Sequence, residues 1–319
     1  MTESQPEPTF YRAGPQHAAG MVEVIHAAFG ARPPLDPPST ADAESTATVS
    51  TALAEGTGVY AEVAGRPAGA IIVARTDDPR TATLRRVSVH PDFQRHGIAS
   101  AMVEECKLLA AELGCTRIEL FARIEFPETI AYWQHRGFDI VDHAPHGVML
   151  GRSVPRRVVV PTAERMAELG GRIADRLRPG DVIIASGELG AGKTTLTQGI
   201  GRGLGVRDDA VISPTFVLSR IHHGTDPHPD LVHVDAYRLS DPAELDDLDL
   251  AETMDRSATV VEWGENIAEG LSPNRLEVVV LRSLDPSDDT RTVLITGVGD
   301  RWTDDDLDRI TGVGVQVGG

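Results

Sequence analysis

The chain has 319 residues, of which 41% are hydrophobic and 24% charged, with a formal net charge of −18. That length supports two domains of ordinary size, and no apolar run approaches the roughly 18 residues of a membrane span. So acidic a surface does not grip nucleic-acid phosphates by itself, and the two cysteines, Cys106 and Cys115, lack metal-ligand spacing and read as reduced thiols of a cytoplasmic protein.

Residues 1–8 are polar and acidic, do not form a signal peptide, and are expected to be disordered. Thr9 to Arg12 reads as a first strand, and Gln16 to Phe29 carries apolar residues at helical spacing. After the prolines at 33, 34, 37 and 38, Ser39-Thr40 is expected to cap a helix running to about Leu53. Val59 to Ala64 and Ala68 to Thr76 flank Gly65-Arg66-Pro67 as a hairpin. A strand over Thr83 to Val89 leads to an amphipathic helix from Ile98 to Leu113. A strand at Arg117 to Ala122, a helix at Glu128 to His135 and one or two strands between Phe138 and Leu150 complete the first half.

Residues 151–156 read as a linker between domains 9–150 and 157–299. The second half opens with a strand at Arg157 to Val160 and a helix from Pro161-Thr162 to Leu177. An apolar strand, Val182 to Ala185, follows, then a glycine loop and a helix over Leu196 to Leu204. Val211 to Leu218 reads as a loop becoming a strand. Strands follow at Leu231 to Val234 and Thr259 to Trp263, with a short helix, Pro242 to Leu248, between them. Arg275 to Leu281 and Thr290 to Thr296 form a closing hairpin. Residues 300–319 read as an acidic, glycine-rich tail, its carboxylates on a solvated helix face.

The loop Gly187-Glu188-Leu189-Gly190-Ala191-Gly192-Lys193-Thr194-Thr195 fits the G-x-x-x-x-G-K-[ST] pattern between a strand and a helix, the context of a phosphate-binding loop. Glycines let the backbone wrap a triphosphate with N–H groups pointing inward, and the helix N-terminus adds positive potential. Lys193 is expected to reach the β- and γ-phosphates and the Thr194 hydroxyl to ligate Mg²⁺. Only two of the 30 basic residues are lysines, Lys107 and Lys193. A compact ammonium fits between phosphates in a tight loop where a planar guanidinium does not.

In the first half, Arg86-Val87-Ser88-Val89 leads into Gln94-Arg95-His96-Gly97-Ile98-Ala99, where a strand ends and a helix begins. The backbone N–H groups there suit a pyrophosphate. With Ala131-Tyr132-Trp133-Gln134-His135-Arg136-Gly137-Phe138 downstream, residues 9–150 resemble the GNAT N-acetyltransferases. The resemblance implies a mixed sheet with flanking helices, splayed after the Val87–Val89 strand. It also implies acetyl-CoA held by Val87, Val89, Gln94, Arg95, His96, Gly97, Ile98 and Ala99. Trp133 stands where the family's catalytic tyrosine usually does, so Tyr132 and Trp133 are the acetyl-transfer candidates.

In the second half, four motifs follow in order: the glycine loop, Ser213-Pro214-Thr215-Phe216, His233-Val234-Asp235-Ala236-Tyr237-Arg238-Leu239 and Val261-Glu262-Trp263. Together they resemble the TsaE family, ATPases of bacterial tRNA threonylcarbamoyladenosine synthesis. The resemblance implies a P-loop NTPase-like sheet with flanking helices. ATP would be bound by residues 187–195, and Mg²⁺ by Thr194, Glu262 and Asp235. Lys193, Glu262 and Asp235 would be catalytic, with Thr215 a γ-phosphate-sensing switch residue. It further implies a TsaB–TsaD-like partner complex that touches tRNA on this chain's behalf, in keeping with the acidic surface; no membrane contact and no metal cluster are expected.

Two alternatives compete. One is a P-loop small-molecule kinase, against which no arginine-rich lid segment follows the P-loop helix. The other is a nucleotide switch joined to a non-catalytic acyl-CoA sensor, which Trp133 at the tyrosine position favours.

Overall fold

The structure is a computed structural model, and it describes residues 7–207, 211, 218–239, 241–285 and 287–312. It divides into two compact units, residues 1–154 and 155–319, each α/β.

The first unit begins with β1 (Pro8–Arg12) and α1 (Ala18–Gly30), then α2 (Thr46–Glu55), β2 (Thr57–Val63), β3 (Arg66–Arg75) and β4 (Thr81–Val89). Next come α3 (Ile98–Glu112), β5 (Arg117–Arg123), α4 (Pro127–Gln134), β6 (Asp139–Ala144) and β7 (Gly147–Ser153). The sheet order is β1-β2-β3-β4-β5-β7-β6. Only β4 and β5 run parallel. Helices cover both faces, which makes the central strands apolar on both sides. Val59, Ala61, Ile71 and Val73 pack with α3 residues Met102 and Cys106. Tyr60, Ala70 and Ile72 pack with α1 residues Met21 and Ile25.

The β4–β5 ladder has three pairs, ending at Thr83↔Glu119. The sheet therefore splays from Thr83 onward, earlier than the Val87–Val89 expectation. Arg86 at φ +55° and the register shift of β4 against β3 bend the strand there, as a bulge does. The helix expected from Ser39 to Leu53 is two elements. Ser39 caps a 3₁₀ turn over Thr40–Ala43, and Glu44 is extended. Ser45 then caps α2 with a reciprocal Thr48 contact. Residue 8 pairs with Val63 and is not disordered. The linker is shorter than 151–156, because β7 pairs with β5 as far as Ser153.

The second unit runs through β8 (Arg156–Val160), α5 (Ala163–Ala174), β9 (Val182–Ser186), α6 (Lys193–Gly203), β10 (Ser219–His222) and β11 (Asp230–Asp235). It continues with α7 (Pro242–Asp246), β12 (Ser257–Glu262), β13 (Arg275–Arg282), β14 (Arg291–Val298) and α8 (Asp304–Thr311). The order is β10-β11-β12-β9-β13-β14-β8, with β11, β12, β9 and β13 parallel.

Alternate residues of the buried β9 serve opposite faces. Ile183 joins Leu196 and Ile200 of α6, and Val182 and Ile184 join Val234 and Leu245. Glycines let α5 and α6 touch backbone to backbone. A Cβ on Gly170 would stand 2.4 Å from the Leu196 carbonyl oxygen, and one on Gly199 2.3 Å from that of Ala167.

Residues 300–312 are part of the core rather than a tail. Trp302, Leu307 and Ile310 are buried. Buried Arg156 of β8 pairs with Asp304 (2.6 Å) and Asp308 (3.3 Å). Arg301 holds both oxygens of Asp181 through one guanidinium edge, Nε at 2.9 Å and Nη2 at 2.7 Å. The acidic composition hid two apolar residues, Leu307 and Ile310, that a short helix places on one face, and a tryptophan just ahead of it.

Candidate functional site

In the second unit the phosphate loop joins β9 to α6. Gly187 has φ +137°, and a Cβ there would lie 2.3 Å from the Val280 carbonyl oxygen, so only glycine fits. Gly190 and Gly192 also have positive φ, and Gly192 caps α6. The loop is braced from outside by Arg291, whose Nε donates to the Ala191 carbonyl at 3.2 Å.

Lys193 Nζ turns back into the loop and donates to the carbonyls of Gly187 (2.7 Å) and Glu188 (2.9 Å). It lies 3.6 Å from the centre of the Trp263 ring, against which Tyr237 packs edge-on at 5.2 Å. Burial lowers the Lys193 ammonium's pKa from its ordinary value, against the opposing pull of Glu262 and Asp235. Trp263 itself sits at φ +63°, a costly conformation for a bulky residue.

The register aligns Ala185 of β9 with Glu262 of β12, and Glu262 with Asp235 of β11. Both acids therefore stand at the carboxyl ends of parallel strands beside the loop, where ligands of such sheets bind. Thr194 Oγ1 donates to Glu262 Oε2 at 3.0 Å. His233 Nε2 contacts Glu262 Oε1 at 2.8 Å. Asp235 Oδ1 accepts the Tyr237 N–H at 3.1 Å, bracing the turn that follows β11. A hydroxyl and a carboxylate in contact at the mouth of the loop form the hard oxygen donor set that Mg²⁺ prefers.

Glu188, Leu189 and Thr195 belong to the same loop and helix start, and Leu189 is strongly exposed. Thr215, with its Ser-Pro-Thr-Phe segment, lies outside the described residues. Thr197 and His233, both in contact with Glu262, were absent from the candidates read from sequence. The available signal was a histidine at the centre of the apolar run Leu231–Val234, and a threonine one helical turn beyond Thr194.

In the first unit a cleft of about 920 Å³ opens where β4 and β5 part. Val87, Val89, Gln94, Arg95 and Ala99 line it, as do Tyr132 and Trp133. Arg95 and Gly97 have φ +65° and +76°, the alternating backbone that turns successive N–H groups into an anion-holding concavity. His96 and Ile98 turn elsewhere. They line a separate pocket with Phe93 and Val63, and Ile98 is part of the core. Trp133 is 4% exposed and packs edge-on against Phe138 at 5.4 Å, the environment of a core residue. The Tyr132 hydroxyl lies 2.9 Å from Ser100 Oγ of α3, and Ser100 also accepts from Arg136 Nε at 2.7 Å.

Comparison with known proteins agrees with this division. The profile of the threonylcarbamoyl adenosine biosynthesis protein TsaE matches residues 160–293. The tRNA threonylcarbamoyladenosine biosynthesis protein TsaE of Streptomyces coelicolor is 52% identical over 149 residues, 46% of this chain and 100% of that protein. The chain belongs to the TsaE family. The TsaE protein of Mycobacterium tuberculosis is 45% identical over 126 residues, 37% of this chain and 74% of that protein. The TsaE part is fused to a second family, since the acetyltransferase (GNAT) profile matches residues 23–138. A solved structure similar to the first unit is the PaiA N-acetyltransferase of Thermoplasma acidophilum in complex with coenzyme A. It is 12% identical with a TM-score of 0.41, covering 46% of this chain and 99% of that one. Among the described residues no helix is long and apolar enough to cross a membrane.

Proposed function

We propose that the TsaE unit hydrolyses ATP within the machinery that forms N6-threonylcarbamoyladenosine at position 37 of tRNA. In this reading it acts on a TsaB–TsaD-like pair in the cytoplasm, and that pair, not this acidic chain, holds the tRNA. The observation that carries the reading is the Thr194–Glu262 contact of 3.0 Å at the mouth of the phosphate loop. The loop glycines and the α6 N-terminus supply N–H donors for the β- and γ-phosphates, and Lys193 exchanges its two carbonyl partners for phosphate oxygens. Bound Mg²⁺ supplies neutralisation of the charge that develops on the transferring phosphoryl group. Thr194 and Glu262 are the residues that would hold it, with Asp235 on the neighbouring strand. Both oxygens of Glu262 are engaged by neighbours, which suits an acid that orients and anchors rather than one that must swing to take a proton.

In the first unit the same reasoning supports acetyl-CoA as the ligand of the β4–β5 cleft. The backbone at Gln94 to Ala99 holds the pyrophosphate, and Val87 and Val89 offer the exposed edge of β4 to the pantetheine arm. An acceptor amine would attack the thioester carbonyl, so that the amide C–N bond forms as the C–S bond breaks. Tyr132, the one phenol on the cleft wall, would give its proton to the departing thiolate and regain one from the amine, with Ser100 setting its hydroxyl.

The deciding experiment replaces the chromosomal copy by Lys193→Ala in cells with no other TsaE and measures the modified nucleoside in total tRNA. Loss of threonylcarbamoyladenosine is expected; an unchanged level refutes the tRNA reading. Calorimetry of the full chain with acetyl-CoA tests the first unit, where absence of binding removes the transferase reading.

A further inference from the structure

We propose that His233 is a positioning residue for Glu262: its Nε2–H fixes the carboxylate in the orientation in which Thr194 and Glu262 together accept a divalent cation. The inference rests on the ATPase reading of the same site. It starts from an accounting of Glu262. The residue is 2% exposed, so each carboxylate oxygen needs a protein donor. Oε2 has Thr194 Oγ1 at 3.0 Å. Oε1 has two neighbours, Thr197 Oγ1 at 3.3 Å and His233 Nε2 at 2.8 Å. Thr197 has a single hydroxyl proton, and a closer acceptor for it stands at 3.0 Å, the Lys193 carbonyl one turn back. The donor that Oε1 depends on is therefore His233.

The geometry also selects the tautomer. A carboxylate accepts and does not donate, so the proton lies on Nε2. The other ring nitrogen, Nδ1, is buried with no protein hydrogen-bond partner among the described residues. His233 is 0% exposed at the middle of β11, directly across from Val260 and two residues short of the level of Glu262. A leucine or valine at this central strand position would pack as well as its neighbours Val232 and Val234. An imidazole with a buried unpartnered nitrogen costs stability, and the contact to Glu262 is what it provides in return. Thr194 is a candidate cation ligand, and its oxygen can offer a lone pair to a cation while its proton stays on Oε2. That single bond leaves the carboxylate free to rotate about it, and the Oε1–His233 contact is what stops the rotation.

The experiment uses the full chain and four single variants, His233→Leu, His233→Gln, His233→Asn and Glu262→Gln, with the double variant His233→Leu/Glu262→Gln. The readouts are ATP affinity by calorimetry in EDTA and in Mg²⁺, the Mg²⁺ concentration at half-maximal turnover, and the melting temperature. Losing an orienting partner of a metal ligand typically costs 10–100-fold in metal affinity or activity. His233→Leu is therefore expected to raise the half-saturating Mg²⁺ at least about tenfold while leaving affinity in EDTA unchanged. His233→Gln, whose amide nitrogen sits where Nε2 does, recovers most of the loss. His233→Asn, with its amide nitrogen nearer the backbone, does not. In the Glu262→Gln background the leucine substitution has no further effect on the Mg²⁺ dependence. If the leucine variant fails to fold, the glutamine–asparagine contrast decides alone. Equal Mg²⁺ dependence in the Gln and Asn variants, or additive losses in the double variant, overturns the inference and leaves the ATPase reading standing. A wild-type chain that binds no ATP removes both.

Discussion

Replacing Gly170 by alanine, with Gly171→Ala as its internal control, tests the α5–α6 contact in which the phosphate-loop helix is seated. Alanine gains about 1 kcal/mol over glycine in a helix interior from backbone entropy alone. At Gly171 nothing lies within 4 Å of the added Cβ, so that gain should be realised. The variant is expected to be more stable by roughly 0.5–1 kcal/mol. At Gly170 the added Cβ would stand 2.4 Å from Leu196 O, 2.7 Å from Ile200 N and 2.9 Å from the Gly199 carbonyl carbon. Ordinary contact begins at 3.4 Å, so the worst approach must open by 3.4 − 2.4, about 1 Å. All three atoms are backbone, and no side chain can turn aside. Overpacking of this kind costs about 1–3 kcal/mol, and rigid neighbours put it at the upper end. Set against the helix gain, roughly 2 kcal/mol of net destabilisation remains.

For a unit of this size each kcal/mol moves the melting temperature by about 2–4 °C. Gly170→Ala should therefore melt roughly 4–8 °C lower, and Gly171→Ala a few degrees higher. Calorimetry of the full chain reads both, with hydrogen exchange at α6 assigning the transition to the second unit. Since α6 begins at Lys193, parting the helices should also weaken ATP binding in Gly170→Ala alone. A Gly170→Ala chain as stable as Gly171→Ala would refute the argument from backbone contact.

Three further outcomes follow from the geometry. Cys106 and Cys115 are buried, and burial pushes both thiols above their ordinary range; a thiol reagent should label neither in the native protein and both after denaturation, and rapid native labelling would contradict the packing. Thr194→Val keeps the shape of the side chain but leaves Glu262 Oε2 without its donor; ATP turnover should fall at least about tenfold, with the melting temperature reporting any cost of the unpaired oxygen. Burial alone would raise the Asp306 carboxyl, but hydrogen bonds from Thr303 and the charges of Arg301 and Arg176 outweigh it and hold its pKa below the usual value. A carboxyl lowered in the folded state stabilises fully above its unfolded pKa, near 3.9, and loses that contribution as pH falls through the folded value. The Trp302 indole NMR signal should therefore be constant from pH 5 to 8 and change only below about pH 4; a change at neutral pH would contradict the assignment.

Much of the architecture was legible because its signals are local. The glycine loop, the apolar strands and the Arg275–Thr296 hairpin each announce themselves within a dozen residues. What sequence did not show depends on residues far apart in the chain. The splay begins at Thr83 because β5 leaves β4 there, which no β4 residue states. Trp133 occupies a position that a tyrosine pattern points to, yet Phe138 and the first core draw it inward. Ile98 and His96 lie within a motif that reads as one ligand-binding unit, and the helix start sends them to another surface. Glu262 was visible as an acid ending an apolar strand. Its dependence on His233 was not, because the two come together only through the β11–β12 register.

The chain enters its second unit on β8, an edge strand, and ends the described part of it on α8, tied to that strand through Arg156, Asp304 and Asp308. Both ends of the unit thus belong to one border of the sheet. The phosphate loop, Glu262 and Asp235 belong to β9, β12 and β11, with β13 and β14 intervening before β8. Residue 155 thus leads into a border of the sheet that β14 and β13 separate from β9. On the proposed reading, a gene fusion at this point, or its reversal, changes what the unit is carried with and attaches to none of the strands that carry the candidate site.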